Sequence, residues 1–164
     1  MSQAIIYQES PIGLLEICGD DECITAVNFV DSAMDEVLSS PVVLQCALQL
    51  EEYFSGKRKE FDLPLRPEGT QFQRKVWMQL RHIPFGETIS YITLAKQLGD
   101  PKTTRAVGMA NGKNPVSIII PCHRVIGANG KLIGYAGCLW RKKWLLNHEN
   151  SLMENDLFNS IASE

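Results

Sequence analysis

Two patterns of hydrophobic and polar positions divide the chain. In the first thirty residues, short runs rich in Ile, Val and Leu at residues 4–7, 14–18 and 23–29 are separated by turn sequences. These runs predict three strands of a small antiparallel sheet. Ser40 followed by Pro41 is typical of a helix start, and apolar residues then recur at helical spacing until a glycine ends the segment. We therefore expect one helix to cover the sheet.

The pattern changes to helices after residues 57–69, a charged stretch with two prolines that we interpret as an inter-domain linker. Thr70 and Gln73 form a capping-box sequence ahead of a first amphipathic helix. Ser90 and Thr103 are candidate caps of two shorter helices, which a Gly-Asp-Pro sequence separates. Two short helices joined in this way predict a helix-turn-helix.

These elements predict an α+β protein with an amino-terminal α/β domain (residues 1–68), a mainly helical domain (69–150) and an acidic tail (151–164) of amphipathic helical pattern. The second helix of the helix-turn-helix alternates small residues, among them Ala106 and Gly108, with larger ones. Small residues let a helix approach a narrow minor groove, and they equally allow tight packing against another helix. The sequence leaves both interpretations open.

The charge of the chain is sorted along its length. Residues 1–68 carry four Lys or Arg against thirteen Asp or Glu, whereas residues 69–150 carry twelve against three, although the whole chain has a net charge of only −3. A basic module joined to an acidic one is typical of proteins that bind a polyanion with one half. Chance sorting on a solvated surface is the alternative.

Composition also indicates the cell compartment and argues against certain kinds of site. Neither a membrane span nor a signal peptide is indicated, so we expect a cytoplasmic protein, nucleoid-associated or, in a eukaryote, nuclear. Five irregularly spaced cysteines without a Cys-x-x-Cys pair argue against a disulfide framework and against a metal site. We expect no metal.

The segment with the most distinctive chemistry follows the apolar run at residues 116–120. There Pro121, Cys122, His123 and Arg124 place a thiol, an imidazole and a guanidinium side by side. A cysteine thiol is a weak nucleophile at neutral pH until a base or a positive charge favours its thiolate. His123 is the candidate base, and because neighbouring residues of a strand point to opposite faces, a bridging water is expected between the two. A structural cysteine beside a surface histidine is the alternative.

The run from Gly69 to Glu149 resembles the methylated-DNA–protein-cysteine methyltransferases, also called O6-alkylguanine-DNA alkyltransferases. The most specific matching motif is Pro121-Cys122-His123-Arg124-Val125, and the matches also include Gly69-Thr70-x-Phe72-Gln73, Ile83-Pro84-x-Gly86-Glu87-Thr88, Arg105-Ala106-Val107-Gly108 and Asn114-Pro115. Residues 1–68 match the family's smaller domain only in outline, through Ser10-Pro11-Ile12-Gly13 and the order of strands and helix. The resemblance implies a ribonuclease H-like amino-terminal domain followed by a winged helix-turn-helix-like domain.

The resemblance also implies catalytic roles. Cys122 would be the alkyl acceptor, His123 its water-mediated base, and Glu149 the acid that orients the histidine. Tyr91 would help to protonate the leaving guanine, and Asn114 would be the hinge between the helix-turn-helix and the active-site loop. The reaction would be a single, irreversible transfer from O6-alkylguanine, with O4-alkylthymine as a further candidate substrate, and it would need no cofactor.

The remaining implied residues bind the substrate. Arg105 would enter the base stack where the nucleotide left. The other candidate DNA contacts are Thr103, Thr104, Ala106, Gly108 and Arg124. The candidate pocket residues are Tyr135, Ala136, Gly137, Cys138 and Lys142. The expected partner is double-stranded DNA bound in the minor groove by a monomer, with cooperative binding along DNA left open, and no membrane is expected.

Two features of the pocket segment depart from the family pattern. Many members carry two glycines where this chain has Gly137-Cys138, and some carry a hydroxyl where Ala136 stands. Both changes leave the range of accepted alkyl groups open.

Three other functions compete with alkyl transfer. A non-reacting damage sensor or a helix-turn-helix regulator would bind DNA without chemistry, and a cysteine hydrolase would turn over amides or esters. Cys122 argues against the sensor, because the non-reacting relatives lack this cysteine. The chain also has no glycine-rich nucleophile elbow, which argues against the hydrolase.

Overall fold

An antiparallel sheet of three strands forms the amino-terminal half. In the computed structural model, which describes residues 3–34, 37–133, 135 and 138–162, the strands are β1 (Ala4–Ser10), β2 (Gly13–Gly19) and β3 (Ile24–Val30), paired in that order. The register places Ile17 between Ile6 and Val27, and all three side chains are buried. Since alternate residues of a strand share one face, the sheet has one apolar face that needs a cover.

Helix α1 (Pro41–Phe54) provides this cover. The Ser40 side chain accepts a hydrogen bond from the Val43 amide, and Pro41 occupies the first turn, as the sequence predicted. The apolar positions at helical spacing, among them Val43, Leu50 and Tyr53, are fully buried. The helix thus closes the core of the amino-terminal domain.

The connecting stretch at residues 57–69 is hydrogen-bonded to the edge of the sheet. Ile24 donates its amide to the Pro64 carbonyl at 2.8 Å, and its own carbonyl accepts from the Arg66 amide at 2.8 Å. The exposed edge of β3 explains this binding, because its unpaired backbone groups need partners. The stretch that we interpret as an inter-domain linker thus runs along the edge of β3.

The second half begins with α2 (Gln71–Leu80), which starts at the predicted capping box of Thr70 and Gln73. The helix-turn-helix is formed by α3 (Tyr91–Gln97), capped by Ser90, and α4 (Thr104–Gly112). A 3-10 turn (Pro101–Thr103) precedes α4. A short parallel pair, β4 (Ile89–Ser90) with β5 (Val125–Ile126), joins the start of α3 to the segment that follows Cys122.

Helix α5 (Leu139–Ala162) runs without interruption through the predicted boundary at residue 150. Its second part is the predicted acidic tail, and it packs on the rest of the protein: the Leu152 side chain lies against Gly56, and Met153 lies against Gly86. The tail was expected to form an amphipathic helix, but its role as a continuation of the last domain helix was not foreseen. Within the described part of the chain, no helix has the length and apolar character that crossing a membrane requires.

Candidate active site

The segment before Cys122 is held by local hydrogen bonds of one asparagine and by a hydrogen bond from the sheet. Asn114 Nδ2 donates to the Ile120 carbonyl at 2.8 Å, while its Oδ1 accepts from the Val116 amide at 2.9 Å. On the other side, Val27 of β3 donates its amide to the Pro115 carbonyl at 2.9 Å. The buried run therefore folds tightly around one asparagine side chain and against the edge of the sheet.

After this segment, a single 3-10 turn (Cys122–Arg124) lies in the protein interior. The Cys122 residue is only 4% exposed, and His123 is fully buried. Asn111, near the end of α4, donates its side-chain amide to the Cys122 carbonyl at 3.3 Å. The reactive turn is thus connected directly to the second helix of the helix-turn-helix.

Glu149 of α5 lies at the centre of a buried hydrogen-bond network. Its Oε2 accepts from His123 Nε2 at 2.7 Å, from the Tyr53 hydroxyl at 2.7 Å and from Arg124 Nη2 at 3.0 Å. Its Oε1 accepts from Arg124 Nε at 2.9 Å and from the Gly86 amide at 3.2 Å. Burial alone would raise the pKa of Glu149, but His123 and Arg124 outweigh burial and hold this pKa well below its usual value. The carboxylate is ionised.

An ionised Glu149 fixes the tautomer of His123. A carboxylate only accepts hydrogen bonds, so Nε2 carries the proton and Nδ1 of the neutral ring is an acceptor. Burial lowers the pKa of His123 below its usual value despite the nearby carboxylate, which favours the neutral ring at pH 7. His123 Nδ1 is buried and has no partner among the described residues, so it is available to accept a proton.

The Cys122 thiol needs such a base. Burial raises its pKa to about 11, although Asn114 and Lys142 act in the opposite direction. At neutral pH the thiol is therefore protonated and only weakly nucleophilic. The expected bridging water between Cys122 and His123 stays a prediction.

A second group of polar side chains connects the start of α3 with α5. Lys142 of α5 has no exposed surface, and its amine donates to the Ile133 carbonyl at 2.8 Å and to the Tyr91 hydroxyl at 3.5 Å. The Tyr91 hydroxyl donates to the same carbonyl at 2.8 Å. Burial lowers the pKa of Lys142 to about 8, and Cys122 partly opposes this shift. A cation and a phenol hydroxyl thus stand close to the candidate nucleophile.

The predicted pocket segment is described only in part. Tyr135 is buried, and burial raises the pKa of its hydroxyl well above the usual value, with Cys122 as a second cause. Cys138 is exposed at the start of α5 with a positive φ of 80°. Ala136 and Gly137 lie outside the described residues.

The predicted DNA-binding residues fall into two groups. Arg105 and Ala106 are exposed on α4, whereas Gly108 faces the Tyr91 ring, where a Cβ would lie 3.6 Å from a ring carbon. The Thr103 and Thr104 hydroxyls donate to the carbonyls of Asp100 at 2.7 Å and Pro101 at 2.6 Å. Thr103 makes no side-chain cap for α4, which corrects its predicted capping role. One small residue of α4, Ala106, thus lies on an exposed surface, and another, Gly108, allows the helix to pack closely against α3.

Arg124 differs from its predicted place at the DNA surface. Its guanidinium is buried, pairs with Glu149, and also donates to the Ile83 carbonyl at 2.7 Å. In this position it fixes the Glu149 carboxylate and the loop before α3, and it has little surface to offer a phosphate. The expected DNA contact of Arg124 is corrected to an interior, structural one.

Comparisons with known proteins agree with this geometry. The family model described as 6-O-methylguanine DNA methyltransferase, DNA binding domain, matches residues 71–151, and that of the ribonuclease-like domain matches residues 5–67. A methylated-DNA–protein-cysteine methyltransferase of Methanosarcina acetivorans is 51% identical over 149 residues, which cover 87% of this chain and 96% of that protein. The chain belongs to the methylated-DNA–protein-cysteine methyltransferase family.

Solved structures of the family share this fold. The crystal structure of Mycobacterium tuberculosis O6-methylguanine methyltransferase superposes with a TM-score of 0.83 at 42% identity, over 92% of this chain and 94% of that one. A structure of the Mycobacterium tuberculosis OGT in complex with DNA gives a TM-score of 0.82 at 44% identity, over 89% and 92% of the two chains. The predicted α+β fold class and the predicted family are confirmed.

Sequence reasoning about this methyltransferase-family chain missed three residues of the site. Tyr53, Asn111 and Arg141 contact Glu149, the Cys122 carbonyl and the amino-terminal domain, respectively. Tyr53 was identified only as a core position of α1, although a tyrosine in a fully buried position needs a hydrogen-bond partner and so carries a signal. Nothing in the local sequence distinguishes Asn111 or Arg141. Among the described residues, no three His, Cys, Asp or Glu side chains cluster as metal ligands would.

Proposed function

We propose that this protein repairs double-stranded DNA by transferring an alkyl group from O6 of guanine to its own Cys122, once per molecule. The observation that carries the proposal is the Cys122-His123-Glu149 arrangement. It joins a buried thiol to a neutral imidazole whose free nitrogen can take a proton, and that imidazole is held by an ionised carboxylate.

In the proposed transfer, every bond and proton is accounted for without a cofactor. His123 removes the Cys122 proton through a water, and the sulfur forms a bond to the alkyl carbon. The bond between that carbon and O6 breaks, and its electron pair stays with the guanine, which Tyr91 helps to protonate. The neighbouring Lys142 amine supports this step because a cation stabilises the phenolate that proton donation leaves behind. The product is a thioether, and none of the described side chains near Cys122 offers a way to cleave it, so the proposed transfer ends after one event.

DNA recognition in the proposal relies on α4. Its exposed Arg105 and Ala106 would face the minor groove, with Arg105 filling the gap that the extruded nucleotide leaves. An alkyl carbon inside a duplex is out of reach of a buried thiol, which is why the base has to leave the stack. The hydrogen bond from Asn111 to the Cys122 carbonyl supports a link between this helix and the reactive turn. We propose a monomer that acts wherever the cell keeps its DNA.

Intact-mass analysis tests the proposal. Wild-type protein mixed with duplex DNA carrying one O6-methylguanine should gain one methyl group per molecule, and the Cys122→Ser variant should gain none. Cys23→Ser, which removes a partly exposed thiol of the amino-terminal domain, should gain one methyl group like the wild type. Tight lesion binding without a mass change would instead indicate a damage sensor. Repeated turnover of an amide or ester would indicate a hydrolase.

A further inference from the structure

The turn between β1 and β2 reaches the beginning of α5 beside the pocket segment. Arg141 Nε donates to the Ile12 carbonyl at 2.7 Å. The next residue, Gly13, has a φ of +121°, and a Cβ at this position would lie only 2.9 Å from Arg141 Nη2. The positive φ explains why the Ser10–Gly13 turn ends in glycine, which adopts positive φ without strain.

The same guanidinium also contacts β3 and the pocket segment. Its carbon lies 4.5 Å from the centroid of the Phe29 ring, and its Nη1 lies 3.6 Å from Cys138 Sγ. Phe29 in turn contacts Tyr135 edge to face, with ring centroids 6.4 Å apart and an interplanar angle of 72°. Tyr135 therefore contacts β3 directly, and Cys138 is linked to the amino-terminal domain through Arg141.

These contacts bear on the reaction because Tyr135 is buried in the same core cluster as Cys122. Tyr135 and Cys138 are themselves connected, since the Cys138 amide donates to the Tyr135 carbonyl at 3.1 Å. Displacing a pocket group by about 1 Å lowers a reaction rate by a factor of about 100 when the reacting atoms must be held in line. The position of Phe29 and Arg141 thus affects how a base is held against the thiol.

We propose that Arg141 and Phe29 are positioning residues through which the amino-terminal domain holds Tyr135 and Cys138, and thereby sets the rate of alkyl transfer to Cys122. This inference rests on the proposed function for its kinetic test. A charged group near a DNA-binding surface has an obvious alternative role as a phosphate contact. The planar guanidinium distinguishes the two roles, because lysine can replace arginine as a point charge but cannot bridge a carbonyl and an aromatic face in the same way.

The kinetic test uses free O6-benzylguanine, which needs the pocket but no DNA. The limiting rate of benzyl transfer to Cys122 should fall by about tenfold to a hundredfold in Arg141→Ala, and Arg141→Lys should not restore it. Phe29→Leu should reduce the rate by about two- to fivefold, through loss of the ring contacts. The matched control is Arg58→Ala, which removes an arginine paired with Glu52 at the surface and should react like the wild type. Binding of undamaged duplex should be equal in all four variants.

Three results would overturn the inference. A wild-type limiting rate of benzyl transfer in Arg141→Lys, together with weaker duplex binding in Arg141→Ala, would show that Arg141 acts by its charge. An unchanged limiting rate with a lower urea midpoint would show a merely structural role. An unchanged rate and midpoint would show no role.

A second measurement does not depend on the reaction. Hydrogen exchange of the Cys138 amide, which the Tyr135 carbonyl protects, should become faster in Arg141→Ala and not in Arg58→Ala. If the wild type failed to acquire a methyl group from duplex DNA carrying O6-methylguanine, the proposed function would be wrong. The exchange data would still decide whether the amino-terminal domain holds the pocket segment.

Discussion

Replacing Glu149 by Gln tests the buried network most directly. The carboxylate accepts hydrogen bonds from His123, Tyr53, Arg124 and the Gly86 amide, and Glu149 is only 1% exposed. A glutamine offers one acceptor oxygen and turns an NH2 group toward the other donors, and it leaves the buried guanidinium of Arg124 without an anion. Breaking a buried ion pair from one side destabilises a protein by about 3–5 kcal/mol. We expect that loss in the free energy of unfolding, or a midpoint lower by about 6–20 °C for a chain of this size.

The assay is urea unfolding followed by tryptophan fluorescence, at pH 7 and at acid pH. Because Glu149 has a lowered pKa when folded, its contribution is present above its ordinary value of 4.5 and is lost as the pH falls below it. The Gln variant should therefore lose less stability than the wild type between pH 5 and about pH 3. Glu52→Gln is the matched control, since Glu52 also pairs with an arginine, but at the surface, where an ion pair contributes about 0–1 kcal/mol. Equal losses in the two variants at pH 7 would refute the reasoning.

Three further predictions concern the thiol and the DNA. If His123 is the base, the rate of transfer from free O6-benzylguanine to Cys122 should be nearly independent of pH above 7 in the wild type. In His123→Ala the rate should rise about tenfold per pH unit, because only the thiolate would react. Parallel pH profiles of the two proteins would argue against this role. Lys142→Met should lower the transfer rate but raise the free energy of unfolding at pH 7 by about 1–3 kcal/mol, because burial lowers the pKa of Lys142 to about 8. Urea titrations should show this gain in unfolding free energy shrinking between pH 8 and 10.5, where Lys142 is protonated in the unfolded chain but neutral in the folded protein. A gain that persists to pH 10.5 would contradict the explanation. Arg105→Ala should slow transfer from duplex DNA while sparing the free base, and equal slowing of both would contradict its role in the base stack.

Local sequence signals determined much of the fold. The strands, α1 and α2 were predictable because each is specified within a few residues, by alternation, by the Ser40-Pro41 start or by the capping box at Thr70. The reactive segment was predictable for a similar reason, since a thiol, an imidazole and a guanidinium after a buried run form a distinctive short motif. The family resemblance added the distant Glu149.

Tertiary structure alone decided how these residues are used. The sequence places Arg124 next to His123, but its burial and its pairing with Glu149 depend on the position of α5, where Glu149 lies 25 residues further along the chain. Tyr53 of α1 and Arg141 of α5 join the site for the same reason, although they lie far apart in the sequence. A buried polar group takes whichever partner the packing brings within hydrogen-bond distance, because leaving it unpaired costs about 1–3 kcal/mol. Such pairings depend on the arrangement of whole elements, which no local pattern specifies.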